Sequence, residues 1–190
     1  MDLVLVRIAV VNNENTVNIS PQYWIVVDAV RLPDAMDALT SASLVVQAWP
    51  LFEQSDFEHL IEQSPWVVNI GQDKSQLTSC FTLPGFDSSA VAFELDERHS
   101  VEALRHHMHA LLLPYIDNKP TFLRFYAPTF WRPISEQLNP KDVVTLLGPA
   151  SAVFWMSNTG QLNHIQKPEN DNTLPQRPYY LHSAILTSWV

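Results

Sequence analysis

The chain has 190 residues, 46% hydrophobic and 16% charged, enough to bury a core as one domain or two small ones, and this excludes a disordered polymer. Its 4 glycines, Gly71, Gly85, Gly148 and Gly160, are too scattered for a dinucleotide fingerprint, a phosphate loop or a nucleophile elbow. The net charge is −9, with twelve acids and three bases in residues 1–95 but eight of each in residues 96–190, an asymmetry that disfavours duplex nucleic acid and anionic membrane as partners.

Residues 3–11 and 23–27 are rich in Val and Ile and predict strands. The opening run contains Asp2 and Arg7 and has no small-residue cleavage site, so it does not read as a secretory signal. No apolar run approaches the roughly 20 residues that span a bilayer. Residues 33–39 predict a helix with Pro33 in its first turn. A strand follows at 44–48. Ser55 predicts a cap for a short helix over 56–62, with acids in the first turn. Residues 66–70 and 90–95 predict two more strands.

The clearest helix is 100–113: Val101, Leu104, Met108, Leu111 and Leu112 recur at helical spacing, and Pro114 ends it. Residues 121–126 read as a strand and 128–138 as partly helical. Asn139-Pro140 opens a helix that Gly148-Pro149 stops. Residues 152–156 and 162–166 predict a hairpin around 158–160. The polar, proline-rich stretch 167–178 predicts a loop, and 181–190 a last helix. Strands interleaved with helices imply an α+β fold: a mixed β-sheet flanked by helices, one globular domain over residues 1–150, with residues 151–190 packed on it as a C-terminal hairpin and helix extension.

Candidate chemistry is sparse. His99, His106, His107 and His109 crowd one helix, but at about 100° per residue His107 and His109 fall about 160° apart and cannot close on one ion. A solvated histidine face is the favoured reading, with no metal and no cofactor. Asp28 ends the run YWIVVDAV, where a carboxylate serves either chemistry or a turn. Arg124 lies in FLRFY and needs a partner if buried, and Asp28 is the natural one. Cys80 has no second cysteine to pair with and no adjacent base, which predicts a buried inert thiol and a reducing, cytoplasmic setting. Phe130, Trp131 and Arg132 form a mix common at recognition surfaces and are candidate partner-binding residues, although core or hinge packing is the favoured reading. Glu53, Asp56, Glu58 and Glu62 have no Lys or Arg among them and present a face able to steer a basic partner.

Several segments then fall in a familiar order: YWIVVDAV, LFEQSDFEHL, SPWVVNI, VEALRHHMHALL, FLRFYAPTFWRPI and LLGP. This order, with its Arg-Phe-Tyr-x-Pro core at residues 124–128 and Gly148-Pro149, resembles the type VI secretion effector adaptors of Gram-negative bacteria (Tap/Tec-type chaperones) over residues 23–149. The resemblance implies a non-enzymatic role: holding one toxic effector in the producing cell and helping to load it onto the spike protein. Relatives usually carry Asp before the proline of the motif, where this chain has Ala127, a lost helix cap worth about 1 kcal/mol. Pro133 predicts a turn at 128–131 with the helix restarting at Pro133. Many relatives also carry a longer helical part beyond the position of Val190. Two competing readings stand beside the adaptor: a small hydrolase using Asp28 and a histidine, and an immunity protein that neutralises a toxin. The expected partners are effector and spike proteins, with no nucleic acid and no membrane.

Overall fold

The structure, a computed structural model, describes residues 20–168 and 173–188. The strand expected at 3–11 lies outside them. β1 (Gln22–Val27), β2 (Gln47–Pro50), β3 (Trp66–Gly71), β4 (Ala90–Leu95), β7 (Ala150–Met156) and β8 (Leu162–Gln166) form one six-stranded sheet in the order β2-β3-β1-β4-β7-β8, every pair antiparallel. The β7–β8 hairpin turns at Ser157–Gly160 and belongs to this sheet. Because β7 lies inside the sheet between β4 and β8, the sheet runs across residue 150.

The inner strands are apolar on both faces because both are covered. On one side Tyr23, Ile25, Val27, Val68 and Phe154 pack with helices α1 (Ala35–Ser41), α2 (Ser75–Phe81) and α3 (Phe86–Ser89). On the other, Trp24, Val26, Val67, Phe93 and Trp155 meet helices α4 (Val101–Leu111), α5 (Pro128–Ile134) and α6 (Pro140–Leu147). α4 buries Leu104, Met108 and Leu111, and Ser100 caps it by accepting from the Ala103 N–H at 3.1 Å. The Asn139 side chain does the same for α6 through the Asp142 N–H. A 3₁₀ segment, Glu58–Gln63, kinked at Leu60 where the backbone is not helical, occupies the acidic stretch.

Three expectations are corrected. Residues 121–126 are not a strand: the Thr121 and Leu123 N–H groups donate to the Pro114 and Leu112 carbonyls, so the chain leaving α4 takes the bonds a ladder would have used. α5 passes through Pro133 without breaking, since it is only seven residues long and closes with the Ser135 N–H on the Trp131 carbonyl. The last helix is shorter than expected, α7 (Ala184–Thr187), because residues 180–181 are taken by a second sheet. That sheet joins β5 (Tyr115–Ile116), β6 (Lys119–Pro120) and β9 (Tyr180–Leu181), with β9 parallel to β5. The β5–β6 turn is made by Asp117 and Asn118, both at positive φ, as a tight hairpin requires.

Buried polar pegs fasten this C-terminal segment. The His107 ring, 3% exposed, shares a hydrogen bond of 2.9 Å with the Tyr179 hydroxyl and another of 3.1 Å with the Leu146 carbonyl. His107 is therefore not part of a solvated face, which corrects the reading from helical geometry: Tyr179 and the end of α6 cover the side of α4 that an isolated helix would show to water. Asp142, fully buried, accepts from the His182 N–H, the Ser183 N–H and the Ser183 hydroxyl. Gly148, at φ +54°, lies flat against the His107 ring, where an added Cβ would come within 2.2 Å of Nδ1.

Two outcomes follow from this junction. Gly160 also has positive φ but an open surround, so Gly160→Ala is expected to cost about 1–2 kcal/mol by backbone strain alone. Gly148→Ala adds the clash with His107, about 1–3 kcal/mol more, read as the difference in urea midpoints. Burial lowers the His107 pKa from 6.5 to about 3. Below pH 6.5 the unfolded chain binds a proton there that the folded chain does not. Stability is then lost as pH falls from about 6.5 towards 3, by up to about 1.4 kcal/mol per pH unit. His107→Gln is expected to flatten that slope between pH 7 and 4.5. His99 and His109, also lowered by burial, leave a smaller slope of the same sign.

Candidate functional site

Asp28 follows directly on β1, and its carboxylate is held from both sides. Oδ1 accepts the Val30 and Arg31 N–H groups at 3.1 and 3.3 Å, forming the turn that leaves the strand. Oδ2 accepts Arg124 Nη2 at 2.5 Å. The pair is lopsided, with the Asp28 side chain 3% exposed and that of Arg124 53%. Arg124 lies over Tyr126, its guanidinium carbon 5.7 Å from the ring centroid. The intervening Phe125 points into the core against Phe93, and its carbonyl accepts the Trp131 indole N–H at 2.6 Å. The Arg-Phe-Tyr segment is thus a clasp. It ties the carboxyl end of β1 to the start of α5, and both Asp28 oxygens are occupied.

Phe130 and Trp131, candidate partner-binding anchors for which core packing was the favoured reading, lie in the core at 2% and 0% exposure. Trp131 stacks on Trp155 with centroids 6.0 Å apart and meets Phe93 edge-on. Helix α5 turns this aromatic side towards the sheet, so neither ring offers surface to a partner. Arg132 is engaged within the fold as well. Its guanidinium donates to the Met156 carbonyl at 3.0 Å and the Asp87 carbonyl at 3.1 Å, fastening α5 to β7 and α3.

The acidic segment is on the surface. Asp56, Glu58 and Glu62 are exposed, and Glu53 is half-buried and pairs with Arg105 at 3.4 Å. Arg105 also lies 4.7 Å over the Trp49 ring. Ser55 organises the turn: its hydroxyl donates to the Phe52 carbonyl at 2.8 Å and accepts the Phe57 N–H at 3.1 Å. Beside this segment lies an open groove of about 510 Å³ between residues 54–57, α4 and residues 177–179. His106 and His109 line it, and His106 also pairs with Glu102 at 2.9 Å. Among the described residues no three His, Cys, Asp or Glu side chains converge in a way that would hold a metal ion.

Sequence reasoning missed the apolar part of this surface. Phe52, Phe57 and Phe122 form an aromatic cluster, with the Phe57 and Phe122 centroids 4.9 Å apart. Phe122 and Leu113 are 42% and 41% exposed. The signal was present in Leu113 standing beyond the apolar stripe of α4. For Phe122 there was none, because a strand reading at 121–126 hides which side chains face water. Cys80 is fully buried, and burial pushes its thiol up to about 12.

The clasp is testable by a double-mutant cycle. Arg124→Ala leaves the Asp28 carboxylate without its charged partner. The loss is expected at about 1–2 kcal/mol, below the 3–5 of a fully buried pair because half of the guanidinium already meets water. Asp28→Asn keeps an oxygen for the turn, and adding Arg124→Ala to it should cost less than Arg124→Ala alone. Equal costs in the two backgrounds would mean that the pair carries no coupling.

No curated protein and no solved structure gave a match to the chain. The family model described as "Domain of unknown function (DUF4123)" matches residues 23–143, a span that runs from β1 through the 3₁₀ helix, α4 and the clasp into α6. On that span the chain belongs to the DUF4123 family.

Proposed function

We propose that this protein is a non-enzymatic adaptor that binds one type VI secretion effector and helps load it onto the spike protein. The observation that carries the reading is the surface at the groove, where exposed Leu113 and Asp56 line the same opening as Phe57, and exposed Phe122 packs on the Phe57 ring. Apolar anchors ringed by charge are what protein recognition requires. The carboxylate a hydrolase reading would use, Asp28, is engaged within the fold. Asp28 has both oxygens occupied, Ser55 makes a turn, and His107 and Cys80 are buried. Membership of the DUF4123 family, on the same residues whose motifs resemble the type VI adaptors, supports an effector and a spike as the partners. No helix among the described residues is long and apolar enough to cross a membrane. The adaptor acts in the cytoplasm, before the effector leaves.

Deleting the gene is expected to abolish delivery of the cognate effector while the producing cell survives. The tagged full chain should recover both that effector and the spike from the native cell. Unchanged delivery in the deletion strain would end the adaptor reading, and death of the producer would favour an immunity protein.

A further inference from the structure

The six-stranded sheet has two edges, and they are built differently. β2 is four residues long and ends at Pro50, which has no N–H to give. β8 is five residues, Leu-Asn-His-Ile-Gln, and pairs with β7 without a bulge. It carries none of the devices that close an edge: no proline, no bulge and no formal charge. Residues 143–166 hold no Asp, Glu, Lys or Arg, although the whole chain carries −9. Leu162, Asn163, His164 and Gln166 are exposed.

The register of the β7–β8 hairpin decides which backbone groups are open. The Ser157 N–H donates to the Gln161 carbonyl, and the Lys167 N–H to the Ser151 carbonyl. Bonded pairs alternate along an antiparallel ladder, so the backbone groups of Asn163 and Ile165 face β7. Those of Leu162, His164 and Gln166 point outward, and they have no backbone partner among the described residues. A row of alternating donors and acceptors fits one kind of occupant, an extended strand.

We propose that the occupant is β8 of a second copy of this chain, paired antiparallel about His164. The outward residues lie symmetrically on either side of His164. A two-fold axis there sets His164 against His164, Leu162 against Gln166 and Lys167 against Gln161, so no like formal charges are opposed. Two chains that each carry −9 repel, and an uncharged edge is where they approach at least cost. Two cations touch β7, Lys74 over the Phe154 ring and Arg132 on the Met156 carbonyl. Across the axis β7 and its counterpart are three strand spacings apart, about 14 Å, which exceeds the Debye length of about 8 Å. Because β2 is short and capped by proline, β8 has its own kind to meet. Like pairing with like closes the assembly at two chains instead of propagating a fibre. The inference is independent of the adaptor reading.

Sedimentation velocity of the full chain over a concentration series reads the pairing. A contact of five residues a side falls short of the roughly 20–30 of a standard interface, so the mass should move from one chain towards two with a Kd of about 10–100 µM. His164→Pro removes the outward N–H at the axis and spares the bonds to β7, and should weaken the dimer about tenfold. Leu162→Lys combined with Gln166→Lys opposes like charges on both sides of the axis and should do the same. Leu162→Glu combined with Gln166→Glu should also be monomeric alone, yet mixing the two double variants should restore a dimer with one chain of each. Misfolded variants would not rescue each other in this way. A wild type that stays one chain at every concentration overturns the pairing, even where a strand of another protein takes the edge. A dimer that all the variants leave unchanged, or double variants that stay apart when mixed, overturns it as well.

Discussion

β1 sits inside the sheet and is apolar in both directions. Tyr23, Ile25 and Val27 face one way, Trp24 and Val26 the other, and all are buried. A strand of that kind is stable only when both faces are covered, because each square ångström of apolar surface left in water forfeits about 25 cal/mol. α1–α3 must cover one face and α4–α6 the other. Where β1 ends, the chain turns, and the buried Asp28 side chain accepts two backbone N–H groups of that turn. That buried charge in turn needs a cation. Arg124, 96 positions along the chain, supplies it from the segment leading into α5. The clasp thus sits at the end of the two-faced central strand: Asp28, buried there, holds the exposed turn and takes Arg124 as its cation, which fixes the second layer to the first.

The layer carrying α4 is completed in a different way. Apolar packing alone would let the C-terminal segment settle in several positions, since one greasy surface resembles another. Buried hydrogen bonds are less permissive. His107 needs Tyr179, and Asp142 needs Ser183. Each pairing is satisfied in one register of residues 179–183 against α4 and α6. Gly148 lets the end of α6 approach the imidazole closely enough for Leu146 to accept from it. The Gly-Pro pair that stops α6 therefore has a second role in seating the histidine.

What the sequence revealed depends on whether the information is local. β4 falls at 90–95, and the caps of α4 and α6 fall on Ser100 and Asn139, because alternation, helical spacing and N-cap chemistry are written in adjacent residues. Asp28 and Arg124 could be matched because a buried charge needs a partner and few were on offer. His107 was misplaced because the angle of a residue on an isolated helix does not say what else packs there. For Trp131 core packing was the favoured reading, but the residues alone left a recognition surface open. An aromatic beside an arginine looks like a recognition surface, yet α5 sends the ring inward and the guanidinium to backbone carbonyls. β5, β6 and β9 were invisible at two residues each, too short for any period to show.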